Sequence, residues 1–395
     1  MPANISRRTF MVGAATAAAA LRVLGANDRI RLGIIGSGQR GQYLMKRANE
    51  VGNFDWVAVC DAWDLRRDQA EQVAGTNLVK HKEYRALLER KDIDGVIVAT
   101  WDHMHAQITV DACHAGKDVF VEKPMTSLPM QGHEVVRAAR ETKRIVQVGV
   151  QQRSTPHFSE AKQRFFDSKL IGQVNMVRTI WNANGGYLTP VPTGLDRKPE
   201  GLDWDVCLGW LPKIPWDAKR YFNRFAYWDF STGGQTGGLF VHMVDVVHWF
   251  LGLVRPLSAV AGGGIYLYDD GRDTPDNINL LLEYPEKLNV TFEATLTDML
   301  PQNSADIVFM GSGGRLSIFR NGYKFLPSRD NAQLGELSSG PTPDAHVANW
   351  LDCMRSRQQP NADALSGHYS AMACHIGNIA FKEKRRVLWQ KEWDV

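Results

Sequence analysis

The stretch Gly36-Ser37-Gly38-Gln39-Arg40-Gly41 follows a short apolar run, Ile30, Leu32, Ile34 and Ile35, and opens a segment with helical periodicity from Gln39 to Val51. Between a strand and a helix each glycine has its own task. Gly36 permits a tight turn, Gly38 lets the main chain approach a pyrophosphate, and Gly41 allows the helix to pack closely on the strand. The N–H groups at the start of such a helix attract an anion. Asp61, twenty residues beyond Gly41, ends the next predicted strand. A carboxylate there can accept hydrogen bonds from adenosine ribose hydroxyls and would repel a 2′-phosphate. The chemistry implied is dinucleotide binding with NAD favoured over NADP, although Arg66 or Arg67 could still reach a phosphate.

A second set of residues points to proton transfer. Glu122-Lys123-Pro124 ends a later strand, and ligands of open α/β sheets bind outside such strand ends. Pro124 restricts Lys123 to extended geometry. A free lysine titrates near about 10.4, and the positive charge of an oxidised nicotinamide would lower it, so that Lys123 could hydrogen-bond a reacting hydroxyl. His242, of a residue type titrating near about 6.5, is a reasonable proton acceptor for an alcohol being oxidised. Asp245 and His248 share its predicted helix. No metal site is expected there, because the spacing lacks the i, i+4 histidine pair of helical zinc sites and no cysteine supplements it. His346 and His375 read as packing residues, and the tryptophans from Trp181 to Trp228 offer flat faces suited to the C–H face of a sugar ring.

Elements to hold these residues are legible in the hydrophobic pattern. Strands are predicted over residues 29–36, 54–61, 94–100, 119–122 and 145–150, with helices over 39–51, 64–73, 103–115 and 130–143. That alternation predicts a doubly wound parallel sheet, an α/β Rossmann domain over residues 27–151. A helix over 158–167 and a strand over 174–181 lead into a Gly-, Pro- and Trp-rich stretch reaching about residue 235. Alternating strands over 258–268, 278–284, 289–297 and 305–310, with a turn at Gly311-Ser312-Gly313-Gly314, predict a second domain of α+β type over 152–342. Its large open sheet should be mainly antiparallel. Helices over 346–357 and 368–384 are expected to pack back on the first domain as a tail spanning 343–395.

With 395 residues, 44% hydrophobic side chains and a formal net charge of +3, the chain is long enough for two cores and carries no cationic run that indicates nucleic acid or stable membrane insertion. Its five cysteines show no C-x-x-C pair, so no disulfide framework is expected. Ser6-Arg7-Arg8-Thr9-Phe10-Met11 followed by an Ala-rich stretch resembles a twin-arginine export signal over residues 1–26, predicting a periplasmic protein, with a cytoplasmic one as the alternative.

The chain resembles the glucose-fructose oxidoreductase, inositol dehydrogenase and MocA family. The resemblance rests on the glycine motif, Asp61, Thr100 through His105, Glu122-Lys123-Pro124, Gly149-Val150-Gln151-Gln152-Arg153, and Gly233-Gly234 followed by His242-Met243-Val244-Asp245. It implies sugar or cyclitol substrates, a tightly held nicotinamide cofactor and a homodimer or homotetramer. Carried over residue by residue, it implies cofactor contacts from Ser37, Gln39, Arg40, Thr100, Trp101, His105, Glu122 and Gln151, and substrate contacts from Lys123, Arg153, His242 and Asp245. Two positions depart from the family pattern. Trp101 stands where proline is usual, and Gly238 stands four residues before His242 where the dehydrogenases carry an aspartate. Asp245, one helical turn after His242, is the candidate substitute for that carboxylate. The expected activity is hydride transfer from a secondary hydroxyl to NAD. The alternatives are a redox-neutral glycoside cleavage through transient oxidation and elimination, and a non-catalytic sugar-binding protein.

Overall fold

The computed structural model describes residues 29–183, 190–297, 305–328, 335–338 and 344–395. The predicted signal segment lies outside them. Six parallel strands form the first sheet: β1 (Ile30–Ile35), β2 (Phe54–Cys60), β3 (Val79–His81), β4 (Gly95–Val98), β5 (Asp118–Val121) and β6 (Val146–Val148), in the order β3-β2-β1-β4-β5-β6. Helices α1 (Gln39–Val51), α2 (Asp64–Ala74), α3 (Tyr84–Leu88), α4 (Asp102–His114) and α5 (Gln131–Thr142) make the crossovers. Because helices cover both faces, β4 and β5 are buried at every position, which is why they read as apolar runs rather than alternations. Strand order reverses between β1 and β4, so the ligand crevice opens there. The edge strand β3 and the short α3 were not predicted. Val79-Lys80-His81 is largely exposed and carries no apolar pattern.

The predicted helix over 158–167 is a short helix α6 (Pro156–Ala161) continued by a π-helical turn, Lys162–Asp167. Beyond it lies the second sheet, of nine strands: β7 (Val174–Trp181), β8 (Ser258–Gly264), β9 (Asn277–Tyr284), β10 (Leu288–Thr295), β11 (Ala305–Gly311), β12 (Gly314–Phe319), β13 (Gly322–Pro327), β14 (Gly335–Ser338) and β15 (Val387–Leu388). Their order is β14-β13-β12-β11-β7-β10-β9-β8-β15, with every pairing antiparallel except β7 with β10. Strand β8 stops at Gly264 rather than residue 268. Asp276 explains the early end: its carboxylate accepts from the backbone N–H groups of Tyr266, Leu267 and Tyr268, which are thereby withdrawn from a ladder. The short helices α7 (Trp204–Leu208) and α8 (Ala218–Phe222) punctuate the Trp-rich stretch.

Helix α9 (Val241–Leu251) is buried at nine of its eleven positions, the signature of a helix enclosed on all sides. The sheet covers one side of it. On another lies α11 (Ala364–Glu383), whose Met372, Ala373, Cys374 and Ile376 belong to the same core as β9 and β10. Both helices of the tail, expected to pack back on the first domain, contact it, and the second also joins the core of the second domain. Helix α10 (Asp344–Ser356) sets Trp350 and Leu351 against Leu32 and Leu44 of the first domain, whereas α11 is shared between the domains and meets the first through Ala364. Among the described residues no helix is long and apolar enough to cross a membrane.

Candidate active site

Gly36 leaves β1 with φ of +87°, and a Cβ on it would lie 2.7 Å from the main chain of Ala99 and Thr100. A Cβ on Gly41 would stand 2.1 Å from the Gly36 carbonyl oxygen. Both positions therefore exclude side chains for steric reasons. A Cβ on Gly38 would meet nothing within 4 Å, because Gly38 faces a cavity of about 400 Å³. Gly38 caps α1, whose first turn holds no acidic residue to compete for its N–H groups. Asp61 lines the same cavity, with its carboxylate accepting from the N–H groups of Ser37 at 2.7 Å and Trp63 at 3.0 Å. Burial raises the Asp61 carboxyl, and those two N–H groups oppose the rise. An open cradle at a helix N-terminus with a carboxylate beside it fits a dinucleotide.

Gly36, Gly38, Gln39, Arg40, Asp61, Thr100 and Trp101 line this cavity. The other residues predicted to contact the cofactor support it from behind. Ser37 is fully buried and spends its N–H on Asp61. His105 is buried with Nδ1 2.8 Å from the Pro124 carbonyl and Nε2 3.1 Å from that of Thr100, so it braces two loops against each other instead of facing the cavity. Glu122 binds Arg40 (Oε1 to Nε, 2.7 Å) and accepts from the Lys123 N–H at 3.2 Å. Burial would raise the Glu122 carboxyl, but Arg40 and Lys123 overcome it and hold it below its ordinary value. Trp101 packs edge-on against Trp204, Tyr221 and Phe230, all from the second domain, which is where the departure from proline has its effect.

Lys123 extends from the end of β5, through a cis bond to Pro124, and its Nζ donates to the Gly238 carbonyl at 2.6 Å. Nζ also stands 5.7 Å from the ring centre of Phe225, a wall of the cavity. Burial lowers the Lys123 amine to about 8, against the opposing pull of Glu122 and Asp102. Gly238 sits in a π-helical turn, Thr236–Phe240, that feeds α9. A Cβ there would lie 3.2 Å from the Phe225 ring, a tight approach, and the group that Gly238 presents to Lys123 is its main-chain carbonyl.

His242 is buried with Nδ1 3.1 Å from Gln152 Oε1. An acceptor at that position selects the Nδ1–H tautomer and leaves Nε2 as a proton acceptor. Burial, and then the charges of Lys123, Arg320 and Arg40, push the imidazole well below its ordinary range. Asp245 does not orient this ring. One of its oxygens pairs with Arg153 Nε at 2.8 Å and the other accepts from Ser370 Oγ at 2.8 Å, so both oxygens of this fully buried carboxylate are committed elsewhere. The same contact ties down Arg153, which was expected to touch substrate.

Gln152 is thus the positioning residue for His242, and its place in the Gly149–Arg153 stretch was the only signal for it. Gln152→Leu should lower kcat roughly two- to tenfold, the worth of a neutral hydrogen bond. Gln152→Glu, which still accepts, should restore much of the loss and raise the histidine pKa. Steady-state kinetics and an NMR titration of the His242 ring would check both.

Gln151, with its amide nitrogen donating 2.9 Å to the Gly149 carbonyl, accepts from Arg320 at 3.2 Å. Arg320 lies 5.1 Å over the ring of Trp181, which stands 6.1 Å from His242 between ring centres. Trp181 therefore stands beside His242, whereas Trp204 and Trp216 pack on each other and Trp228 donates to the Asp273 carbonyl. His248, His346 and His375 are bonded into the fold. His248 meets Tyr284 Oη at 2.7 Å and burial takes it down to about 3. His346 spans Ser154 Oγ and the Val148 carbonyl, and His375 meets Thr126 Oγ1. Among the described residues no group of three or more His, Cys, Asp or Glu side chains could hold a metal ion.

Residues 30–150 match the model of an oxidoreductase family described as having an NAD-binding Rossmann fold. Inositol 2-dehydrogenase of Salmonella typhimurium is 33% identical over 224 residues, covering 56% of this chain and 54% of that protein. The scyllo-inositol 2-dehydrogenase (NAD(+)) of Bacillus subtilis is 31% identical over 146 residues, 37% of this chain and 42% of that one. The chain thus spans about half the length of the curated relatives it matches. A solved levoglucosan dehydrogenase, in complex with NADH and levoglucosan, is similar with a TM-score of 0.73 at 15% identity, covering 91% of this chain and 99% of that one. For myo-inositol 2-dehydrogenase from Lactobacillus plantarum the values are 0.70, 17%, 92% and 100%. At such identities the likeness is one of fold. Residues 30–150 therefore match the NAD-binding Rossmann domain described for that oxidoreductase family, set in a two-domain fold shared with those solved dehydrogenases.

Proposed function

We propose that the protein is an NAD-dependent oxidoreductase that removes hydride from a secondary hydroxyl of a sugar, sugar derivative or cyclitol. The observation that carries this reading is the Lys123 amine, lowered to about 8 and held between the dinucleotide cavity and the second domain by the Gly238 carbonyl. In the glycine cradle the cofactor supplies the hydride acceptor. Lys123 and His242 divide the work at the hydroxyl differently from the sequence-based expectation. A proton acceptor works best when its pKa lies near the operating pH. Lys123 meets that condition and His242, pushed well below its ordinary range, does not. Neutral Lys123 therefore takes the hydroxyl proton, while His242 Nε2, left as an acceptor by the bond of Nδ1 to Gln152, orients the substrate by accepting from a neighbouring hydroxyl. Trp181 offers an apolar face for a ring beside them.

Asp61 supports NAD over NADP, because its fixed carboxylate lies in the cavity where a 2′-phosphate would be repelled. The names of the inositol and levoglucosan dehydrogenases support the substrate class. The twin-arginine-like segment supports export to the periplasm.

Purified protein supplied with NAD and a panel of inositols, hexoses and anhydrosugars should produce NADH with at least one of them, followed by absorbance. NAD binding without reduction by any member of the panel would reject the assigned substrate class.

A further inference from the structure

The cavity that fits the dinucleotide has two walls, and only one of them belongs to the Rossmann domain. The other is built by residues 206–225 of the second domain, including Val206, Tyr221, Arg224 and Phe225. This wall is anchored at the adenosine end by main-chain bonds. Asp203 N–H donates to the Ala62 carbonyl at 3.0 Å, Asp64 N–H donates to the Gly201 carbonyl at 3.1 Å, and Trp63 and Leu202 form a β-bridge between them. These contacts flank Asp61 directly. Apolar packing of Trp63 with Leu202 and Tyr221 closes the same corner.

Arg224 stands three residues beyond Tyr221 on that wall. Its guanidinium lies 4.5 Å over the Phe225 ring, and its Nε is buried with no hydrogen-bond partner among the described residues. Burial lowers its pKa, and only the more distant charges of Asp102 and Glu122 offset the cost. Orphaned buried polar atoms are uncommon in native structures and call for an explanation. Across the cavity are Gly36, Gly38 and Arg40, with the N-terminus of α1. A planar fork of donors facing an anion-binding helix N-terminus is suited to a diphosphate, which guanidinium groups bind bidentately.

We propose that Arg224, carried by the strap that the second domain fastens to the turn after β2, binds the diphosphate of the dinucleotide from the side opposite the glycine loop. The inference rests on the NAD-dependent reading. It adds that the substrate domain itself holds the cofactor, so release requires the strap bonds at Ala62 and Asp64 to open.

Isothermal titration of the full chain, stripped of nucleotide, with NAD tests the proposal without reference to turnover. Arg224→Met should weaken NAD binding roughly ten- to a hundredfold, the range for charge-assisted bonds to a phosphate. Arg224→Lys, which keeps the charge and loses the fork, should fall between them. Hydrogen exchange on the wild-type chain gives a second readout that does not depend on a variant folding: amides over 218–226 should slow when NAD is added. An Arg224→Met affinity within about twofold of wild type, or unchanged exchange over 218–226, overturns the role of Arg224 while leaving NAD dependence intact. A wild-type chain that binds no NAD removes the underlying reading instead.

Discussion

Lys123→Met is expected to lower kcat by about a thousandfold or more while changing NAD affinity by less than about tenfold, because general acid–base groups contribute roughly 10²–10⁴ to a rate. The wild-type pH profile should show the same group. Lys123 has its pKa lowered to about 8. Below that pH it holds its proton and cannot accept another; above it the amine is free. Oxidation measured as kcat/KM should therefore rise with pH and level off above about 8. No inflection is expected in the ordinary histidine range near about 6.5, since His242 is already neutral there. Lys123→Arg separates proton transfer from simple polarisation. Arginine keeps the positive charge but stays protonated throughout the accessible pH range, so that variant should be as inactive as the methionine. A profile flat through pH 8, or substantial activity in the arginine variant, would assign the proton to another residue.

The second large effect is on stability. Asp245 is fully buried, and its partner Arg153 has a side chain only 11% exposed. Asp245→Ala leaves that guanidinium buried without a counter-charge and the Ser370 hydroxyl without its acceptor. Removal of one partner of a buried pair costs about 3–5 kcal/mol, so the variant should lose that much from the denaturation transition of the second domain. Replacement of both charges by apolar residues of similar size, Arg153→Met with Asp245→Leu, should recover much of the loss, because two desolvation penalties disappear together. Denaturant titration followed by tryptophan fluorescence and far-UV circular dichroism would measure both variants. The contrast with Gln152 is informative: Gln152→Leu should slow turnover with little change in stability, whereas Asp245→Ala should do the reverse. A stable Asp245→Ala protein with lost turnover would return Asp245 to the role of histidine partner that its sequence position suggested.

Those two residues mark the limit of what spacing can reveal. Asp245 lies on the same helix as His242, three residues away, and local periodicity made it the natural partner. The structure gives that task to Gln152, ninety positions earlier in the chain. Likewise the departure at Gly238 read as a missing carboxylate, whereas the π-helical turn presents a main-chain carbonyl to Lys123 close to the Phe225 ring. The predicted strand end at residue 268 failed for a related reason, since Asp276 captures three N–H groups across a loop.

What the sequence determined by itself was set by constraints acting within a few residues. Gly36 and Gly41 are recognisable because a side chain there collides with adjacent main chain, Asp61 because it follows a strand at a fixed interval after the glycines, and the parallel sheet, apart from its edge strand β3, because apolar runs and helical periodicity alternate. The tertiary structure alone decided the partners. Lys123 meets Gly238 across 115 positions, Arg153 meets Asp245 across 92, and Arg224 reaches the dinucleotide cavity from another domain. Hydrogen-bond and ion-pair energies depend on distances of a few ångströms, and those distances exist only after two separate cores have packed and closed the cleft between them.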